Sequence, residues 1–411
     1  MRQHHYLLLT LAALLLLTGW ARTSRPRSGV TTTVAGNREK AAVTVTPRRV
    51  IKLPERLEAL VGDEKQLVAI CEHSARWVSA DGTVLATVKV AADELISGWS
   101  RDGRWLLVGG PTGNKADRYV AANIRLVELG GRRRSRDLGS LSEDSAIIVS
   151  DTGQSVITWN GSPYLRRQGH HDRVLMKWVR STWQSSAIAF APKGNSIAIV
   201  TTGAKANELI VRVFDGSGDA KWQCNLKGAP RISPHQIELA ADAKSAALTW
   251  YEGMEKAPAA GAAVVAQGRV LWRDKHPLAA PCLWIAPRGG LVVYSYGSAS
   301  PITIVRLSDG KVIRQYPTGS LPGQPTSAVC STGAGRTLIA LGRPPKEVRS
   351  IGFHYTRRVI LLDGDGNELW RKDLAGTEYD RGHFKTLIWL SADGRSLAIG
   401  TPKTLSVYHI R

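Results

Sequence analysis

Cysteine and phenylalanine are scarce in this sequence of 411 residues. The chain has four Cys and none of them forms a CxxC pair, so we expect them to be buried as small apolar side chains. Disulfides are permitted outside the cytoplasm, but the spacing assigns none among Cys71, Cys224, Cys282 and Cys330. Four Phe stand against thirteen Trp, a bias expected of a chain that repeats one Trp-bearing strand.

Local motifs of catalysis are also missing. The sequence contains no Gly-x-Ser-x-Gly elbow and no HExxH pair, and Gly153 and Gly203 lie beside strands without the pattern of a phosphate loop. No segment keeps a sustained apolar period of 3.6 residues, which is the pattern of an amphipathic helix. No motif therefore fixes a reaction.

The first residues have the pattern of an export signal. A basic start and the apolar run Leu7–Leu17 precede Ala21, which suits cleavage, so residues 1–21 are predicted to be a signal peptide. Basic residues just after the run leave an uncleaved anchor as the alternative, and the absence of a following Cys disfavours a lipoprotein. Residues 22–40 are predicted to be a flexible basic linker. We expect an extracytoplasmic protein that is periplasmic, extracellular or anchored to the outer side of the membrane.

The net charge is +21. In an exported protein this excess favours an anionic partner, such as lipid head groups, wall polymers or acidic proteins, and makes nucleic acid unlikely. Solubility alone is the other explanation of the charge.

Two short signatures recur from about residue 41 onward. The first is a hairpin with a tight Asp-Gly turn, seen in Trp99–Val108 and Leu390–Ile399. The second is an apolar strand, a turn and a strand that often carries Trp, seen most clearly in Val359–Trp370. Each pair of signatures predicts four short strands over roughly 35 to 50 residues, which is the period of a β-propeller blade.

Counting the repeats predicts a single all-β propeller over residues 41–411. The last unit has only three strands, and the unpartnered stretch Ala42–Thr46 is predicted to supply its fourth strand and close the ring. The ring then has eight blades, or seven if the weak strand Leu57–Val61 does not form. The units are 57–90, 94–141, 146–179, 186–226, 237–276, 282–317, 327–374 and 387–410.

These repeats carry a family resemblance. Gly366-Asn-Glu-Leu-Trp370 resembles the repeats of quinoprotein-like (PQQ-repeat-like) β-propellers, and the Ser-x-Asp-Gly-Arg-x-Leu hairpins resemble those of WD40-like bacterial propellers. The resemblance covers most of residues 57–410 and implies the fold, because both groups include enzymes and binding scaffolds.

The resemblance does not extend to the cofactor or the lipid anchor of particular members. Quinoprotein alcohol dehydrogenases of this group hold pyrroloquinoline quinone with adjacent cysteines and with acidic and Asn ligands for calcium. This chain has no adjacent Cys pair, and no cofactor or metal is expected. The group also contains the assembly propeller of the outer-membrane barrel machinery, a lipoprotein whose lipid-carrying Cys is absent here.

Three local strings suggest sites but have structural explanations. Trp222, Trp272 and Trp370 recur at one blade position, which favours packing between blades over a ligand-stacking platform. Gly169–Asp172 contains two His, but neighbouring ligands on a strand point to opposite faces, so a polar turn is expected. Arg132–Arg136 is interpreted as a solvated basic turn, with an anion-binding patch as the alternative.

Long connections are the best candidates for binding. Gly110–Ala121, Glu252–Ala263 and Gly342–Arg357 are predicted to join second and third strands, on the face that also carries the connections between blades. We expect a binding face there, unless the segments are simply exposed loops. Its candidate residues are Lys115, Arg118, Lys256, Arg343, Lys346, Arg349, His354, Tyr355, Arg357, Tyr379, Arg381 and His383.

The sequence therefore favours a non-catalytic exported scaffold that binds a protein or an anionic envelope partner through this face. The alternative is a propeller enzyme (a quinoprotein-type oxidoreductase, a lyase or a hydrolase) that uses the central channel. Convergent charged side chains with shifted pKa values at the channel mouth would favour the enzyme.

Overall fold

The computed structural model describes residues 43–411 with internal gaps. The predicted signal segment, 1–21, and linker, 22–40, lie outside the described residues. The gaps are 64–65, 112–120, 130–134, 140–145, 160–161, 168, 177–185, 193, 195, 204, 206, 229–231, 253–258, 278–281, 286–289, 296–301, 317–326, 332–337, 344–354, 364–366, 378–386, 392 and 402. No helix in the described part is long and apolar enough to cross a membrane.

The described strands form eight four-stranded antiparallel sheets, the larger of the two blade numbers that the repeats allowed. Blade 1 contains β2 (Leu57–Gly62), β3 (Gln66–Cys71), β4 (Ser74–Ser79) and β5 (Val84–Lys89). Blade 2 contains β6 (Leu95–Trp99), β7 (Trp105–Pro111), β8 (Ala121–Glu128) and β9 (Ser135–Gly139). Blade 3 contains β10 (Ala146–Val149), β11 (Ser155–Trp159), β12 (Ser162–Arg166) and β13 (Arg173–Val174).

The middle of the chain forms three further blades. Blade 4 contains β14 (Ser186–Phe190), β15 (Ser196–Thr202), β16 (Glu208–Asp215) and β17 (Ala220–Lys227). Blade 5 contains β18 (Ser233–Leu239), β19 (Ser245–Glu252), β20 (Ala259–Ala266) and β21 (Arg269–Pro277). Blade 6 contains β22 (Cys282–Ile285), β23 (Leu291–Ser295), β24 (Ile302–Arg306) and β25 (Val312–Tyr316).

The last two blades differ in how their fourth strand is supplied. Blade 7 contains β26 (Ser327–Ser331), β27 (Leu338–Arg343), β28 (Tyr355–Asp363) and β29 (Glu368–Thr377). Blade 8 contains β30 (Leu387–Leu390), β31 (Ser396–Thr401), β32 (Thr404–Ile410) and, from the start of the chain, β1 (Val45–Lys52). First strands of neighbouring blades lie against each other, as β10 and β14 do, which places them around the central channel.

Burial within a blade follows the apolar pattern of its strands. The second strand of blade 4, β15, is buried on both faces over Ser196–Thr201, because blades lie on each side of it. The fourth strand, β17, alternates and buries Cys224 and Leu226 while its other side chains are more exposed. In this blade a continuous buried run therefore marks the second strand, and alternation marks the strand at the rim.

The ring is closed by the two ends of the described chain. β1 pairs antiparallel with β32, with Val45 opposite Ile410, and Thr44 and Arg411 exchange two backbone hydrogen bonds of 3.2 and 3.0 Å. The prediction of closure by an N-terminal strand is confirmed, but the strand extends from Val45 to Lys52 rather than over 42–46. Pro47 is tolerated because β1 is an outer strand and its pairing shifts register there.

The predicted role of the repeated Trp residues is confirmed. Nε1 of Trp222 on blade 4 donates a 2.9 Å hydrogen bond to the carbonyl of Ala243 on blade 5. The ring of Trp272 lies 4.8 Å from that of Tyr294 on blade 6, and the ring of Trp370 lies 5.9 Å from that of Tyr408 on blade 8. These side chains join blade 4 to blade 5, blade 5 to blade 6 and blade 7 to blade 8.

Tight hairpins occupy one side of the ring. We call this side the turn face, because it carries the turns between first and second strands and between third and fourth strands. The antiparallel order places the other connections on the opposite side, the loop face. The described turn-face hairpins include 79–83, 100–105, 150–154, 215–219, 240–245 and 307–311, and the loop face includes 72–73, 89–95 and the ends of β19 and β20.

The turn-face hairpins contact the preceding blade closely. Gly153, with φ +78°, lies so close to Trp105 of blade 2 that a Cβ atom would stand 2.7 Å from the indole ring. Gly103 meets Val68 of blade 1 in the same way, at 2.6 Å. Glycine is required at these tips both by the positive φ and by the neighbouring blade.

Removal of the closing strand is expected to destabilise the whole ring. A chain that begins at Leu53 leaves one edge of β32 unpaired and exposes the apolar side chains that Ile51 covers. We expect its thermal midpoint to fall by about 5 °C or more relative to a chain that begins at Val43. Equal midpoints of the two truncated chains, measured by calorimetry, would show that β1 does not close the ring.

A glycine at a hairpin tip that contacts a neighbouring blade should tolerate replacement by alanine less well than a tip glycine with open space around its Cα atom. Gly169 has a similar φ of +73°, but no atom lies within 4 Å of the position that a Cβ would take, so Gly169→Ala should cost about 1 kcal/mol. Gly153→Ala adds the clash with Trp105 and should cost about 2–4 kcal/mol in denaturant unfolding. The same loss of stability in both variants would contradict the close contact between blades.

Candidate functional site

The candidate binding residues fall mainly outside the described residues. Arg343, Tyr355 and Arg357 lie on β27 and β28, but their side chains are not described. The strand pairing does place the ends of all three long connections on the loop face, since they join β7 to β8, β19 to β20 and β27 to β28. Outside the described residues are Lys115, Arg118, Lys256, Lys346, Arg349, His354, Tyr379, Arg381 and His383.

The described part of the loop face is not uniformly basic. Between blades 1 and 2, Glu94 accepts two hydrogen bonds from Arg125, at 2.8 and 2.7 Å. The hydrogen bond from Arg125 is the main reason that the pKa of Glu94 is lowered. Nearby, Glu55 accepts a 2.8 Å hydrogen bond from the backbone N–H of His73. Glu55 and Glu94 thus place acidic groups in this sector, and Arg125 is already paired with Glu94.

Several arginine side chains donate hydrogen bonds to backbone carbonyls of a neighbouring blade. Arg136 donates to the carbonyl of Gly153 at 3.2 Å, and Arg166 donates to that of Leu138 at 2.8 Å. Arg173 reaches the carbonyl of Ser217 on blade 4 at 2.9 Å. Part of the positive charge therefore has a structural use, and Arg136, the end of the basic run 132–136, is one of these links.

The His-containing string lies where the sequence placed it. His170 and His171 are exposed in the turn between β12 and β13. Asp172 accepts three hydrogen bonds from Arg166, of which the shortest is 2.6 Å. Over the described part of the chain, no group of three or more His, Cys, Asp or Glu side chains is arranged to hold a metal ion.

Two of the cysteines are free and buried. Burial is the main cause that raises the pKa of Cys71 to about 11, and it also raises the pKa of Cys224. Such thiols are poor nucleophiles, because the thiolate is the reactive form. The prediction of buried small side chains is confirmed for these two, and the side chains of Cys282 and Cys330 are not described.

An ion pair links distant blades at the turn-face side of the channel. Nη1 of Arg101, in the first turn of blade 2, lies 3.6 Å from Oε2 of Glu238 on the first strand of blade 5. Blades 3 and 4 separate these residues along the chain, so both side chains extend into the central channel. The sequence did not single out either residue, since neither belongs to a local motif.

Two carboxylates lie beside this ion pair, in successive blades. The backbone N–H of Asp102 donates a 2.9 Å hydrogen bond to Asp151 of blade 3. Burial, followed by the charge of Asp151, raises the pKa of Asp102 to about 6, although Ser100 donates a 2.6 Å hydrogen bond to it. Asp393, in the equivalent turn of blade 8, has a lowered pKa because its hydrogen bonds outweigh its burial.

The repeat explains why the pKa of Asp102 is raised whereas that of Asp393 is lowered. Each Ser-x-Asp-Gly turn holds its Asp by internal hydrogen bonds, as Ser100 does for Asp102. Blade 3 has the variant Ser-Asp-Thr-Gly, in which the Asp stands one position earlier in the turn. This residue, Asp151, accepts the backbone hydrogen bond of Asp102 from the preceding blade. An alignment of the repeats could have found this pair, because two acids stand at neighbouring turn positions.

Comparisons with known proteins support the fold. No protein-family model and no curated protein matches the sequence. A solved Dos1 propeller is similar with a TM-score of 0.54, at 11% identity, over 89% of this chain and 95% of that chain. BamB from Moraxella catarrhalis has a TM-score of 0.48, at 14% identity, over 89% of this chain and 100% of that chain. The chain is a β-propeller, and identities this low show the fold alone.

The pair Asp102–Asp151 should make stability depend on pH in a defined window. The ordinary pKa of this carboxyl is 3.8, so between about pH 4 and 6 the folded protein holds a proton that the unfolded chain has released. This contribution stabilises the fold as the pH falls through 6 and is lost as the pH rises through 6.

Asp151→Asn removes the second cause of the raised pKa. We expect the variant to be more stable than the wild type at pH 7.5, by on the order of 1 kcal/mol after allowance for solvent screening. At pH 5 the advantage should shrink, because Asp102 of the wild type is then largely protonated and carries little charge for Asp151 to repel. Denaturant unfolding at the two pH values measures this, and an equal difference at both would contradict the coupling.

Proposed function

We propose that this chain is a non-catalytic, extracytoplasmic β-propeller that binds a protein or an anionic envelope partner through its loop face. The observation that carries the proposal is the difference between the two faces of the ring. Hairpins of the turn face are short and pack on the preceding blade, whereas the long connections all leave from the loop face. Loops on a rigid scaffold are the usual carriers of binding.

Polar side chains of the turn face are largely committed to the turns themselves. Ser391 donates to Asp393 at 2.6 Å, and Ser217 donates to Asp215 at 2.5 Å. The hydroxyl of Ser79 donates to Asp81 in the same way. Side chains engaged in such local networks have less capacity to bind a ligand.

The proposal also includes export, a relationship to quinoprotein-like propellers and the absence of a cofactor. Their support is the N-terminal pattern, the blade signatures and the lack of adjacent cysteines in the sequence. A basic envelope protein meets anionic lipids, polymers and acidic proteins, which suits the net charge.

Charge removal on the loop face should weaken binding more than the same removal on the turn face. We expect Lys346→Gln with Arg349→Gln to reduce the capture of envelope components by the immobilised full chain several-fold at low salt. Raising the salt concentration should reduce the capture by the wild type, because the attraction is electrostatic. Quantitative mass spectrometry of the captured material measures both effects.

A matched control is available on the turn face. Arg104→Gln with Lys311→Gln removes two positive charges from exposed positions there. This control should leave the capture unchanged. Equal losses in the two double variants, or capture that does not respond to salt, would contradict binding through the loop face.

The channel supplies the second candidate, a propeller enzyme. It is favoured by the pair Asp102–Asp151, since burial and the charge of Asp151 raise the pKa of Asp102 to about 6, which suits a general acid or base near neutral pH. Arg101 and Glu238 lie at the same end of the channel. This candidate requires turnover of a substrate that Asp151→Asn abolishes, whereas the scaffold requires binding that this variant leaves intact.

A further inference from the structure

A buried carboxylate lies where blades 4 and 5 meet at the loop face. Glu252, the last residue of β19, is 1% exposed. Nε1 of Trp250 donates a 2.8 Å hydrogen bond to its Oε1. Nζ of Lys275 forms an ion pair with Oε2, and Nη2 of Arg273 lies 3.6 Å from Oε1. A buried charge needs such partners, so this cluster is held together by its own electrostatics.

The surrounding backbone is shaped to accommodate this carboxylate. A Cβ atom on Gly228 would stand 2.9 Å from Oε1 of Glu252. The fully buried indole of Trp250 fills the space over Gly261, where a Cβ atom would overlap it. Two glycines therefore make room for the carboxylate and for the indole that donates to it.

The two cations are fixed in place as well. The guanidinium of Arg273 lies over the ring of Trp250, 5.3 Å from its centroid, and donates a 2.6 Å hydrogen bond to the carbonyl of Lys227 on blade 4. Lys275 follows two residues later on the same strand, so both side chains are on one side of β21. Neither has to be ordered when a ligand arrives, which lowers the entropic cost of binding.

The cations reach solvent although their counter-ion does not. The side chains of Lys275 and Arg273 are 49% and 36% exposed, against 1% for Glu252. Lys227 stands opposite Glu208 in the strand pairing, so its charge is balanced nearby. Two solvent-facing cations over one buried carboxylate leave an excess of one positive charge, which matches a single carboxylate better than a phosphate dianion.

The strand that carries these cations is the outer strand of its blade. β21 is the fourth strand of its sheet, so one edge of its backbone lies at the rim. An extended peptide along it would place every second side chain on the side of Arg273 and Lys275.

We propose that the Glu252 cluster (Trp250, Glu252, Arg273 and Lys275) is a recognition site for an Asp or Glu side chain of an extended acidic peptide segment in a protein partner. Glu252 acts as a positioning residue that holds the two cations toward solvent. This inference rests on the proposed function, because it assigns one contact of the loop face and the chemistry of the partner.

A peptide titration tests the site directly. The probe is a labelled peptide in which Glu alternates with Thr, and the matched peptide has Gln in place of Glu. By fluorescence anisotropy with the full chain, the Glu peptide should bind and the Gln peptide should not, with weaker binding at higher salt. Lys275→Gln should weaken binding of the Glu peptide about fivefold, the limit expected of one partly exposed ion pair.

Two further variants separate charge recognition from damage to the fold. Lys311→Gln removes one exposed cation from the turn face and should leave the affinity unchanged. Lys275→Arg keeps the charge and should restore most of the binding, and thermal unfolding verifies that each variant is folded. Equal affinities of Lys275→Gln and Lys311→Gln, or equal binding of the Glu and Gln peptides, would overturn the inference.

Vesicles distinguish the peptide from a membrane. If the Glu peptide fails to bind but phosphatidylglycerol vesicles bind in a manner that requires Lys275, the site faces lipid and the inference is wrong. If Lys346→Gln with Arg349→Gln abolishes envelope capture while Lys275→Gln leaves peptide binding unchanged, the proposed function stands and this inference fails. If no loop-face variant affects capture, the proposed function fails independently of the peptide result.

Discussion

Burial between blades is the constraint on which the rest of this structure depends. A four-stranded sheet with buried middle strands has two apolar faces, and it can cover them only by packing against a blade on each side. A row of blades would leave two faces uncovered at its ends, so the row must close. The pairing of β1 with β32 provides that closure, and the apolar cluster that it completes joins blade 8 to blade 1. The Trp residues of the fourth strands extend the same packing toward the rim.

The closeness of the blades also limits the length of the hairpins on the turn face. Tips such as Gly103 and Gly153 touch the preceding blade, and within one of these turns Ser100 donates a hydrogen bond to Asp102. The long connections leave from the opposite side of the ring, the loop face. The short turns of one face are therefore a consequence of the packing between blades.

The positive charge of the chain is not spread evenly over the ring. The net charge of +21 suggests a basic surface, yet some arginines bridge blades and the sector around Glu94 is acidic. At blade 5 a buried carboxylate fixes two cations at the surface, which is a more selective arrangement than diffuse positive charge.

The all-β class, the repeat, the boundaries of most blades and the closure by an N-terminal strand could all be predicted from the sequence, because apolar alternation and turn chemistry are local. The sequence also determined the role of Trp222, since recurrence at one position implies one packing environment. The extent of β1 through Pro47 to Lys52 could not be predicted from the sequence. A strand tolerates proline there because it is the outer strand of its sheet, and that position follows from the tertiary structure. The pairs Arg101–Glu238 and Asp102–Asp151, and the cluster around Glu252, join residues of different strands or blades. No local pattern encodes such contacts, because they arise only when the blades are brought together in the ring.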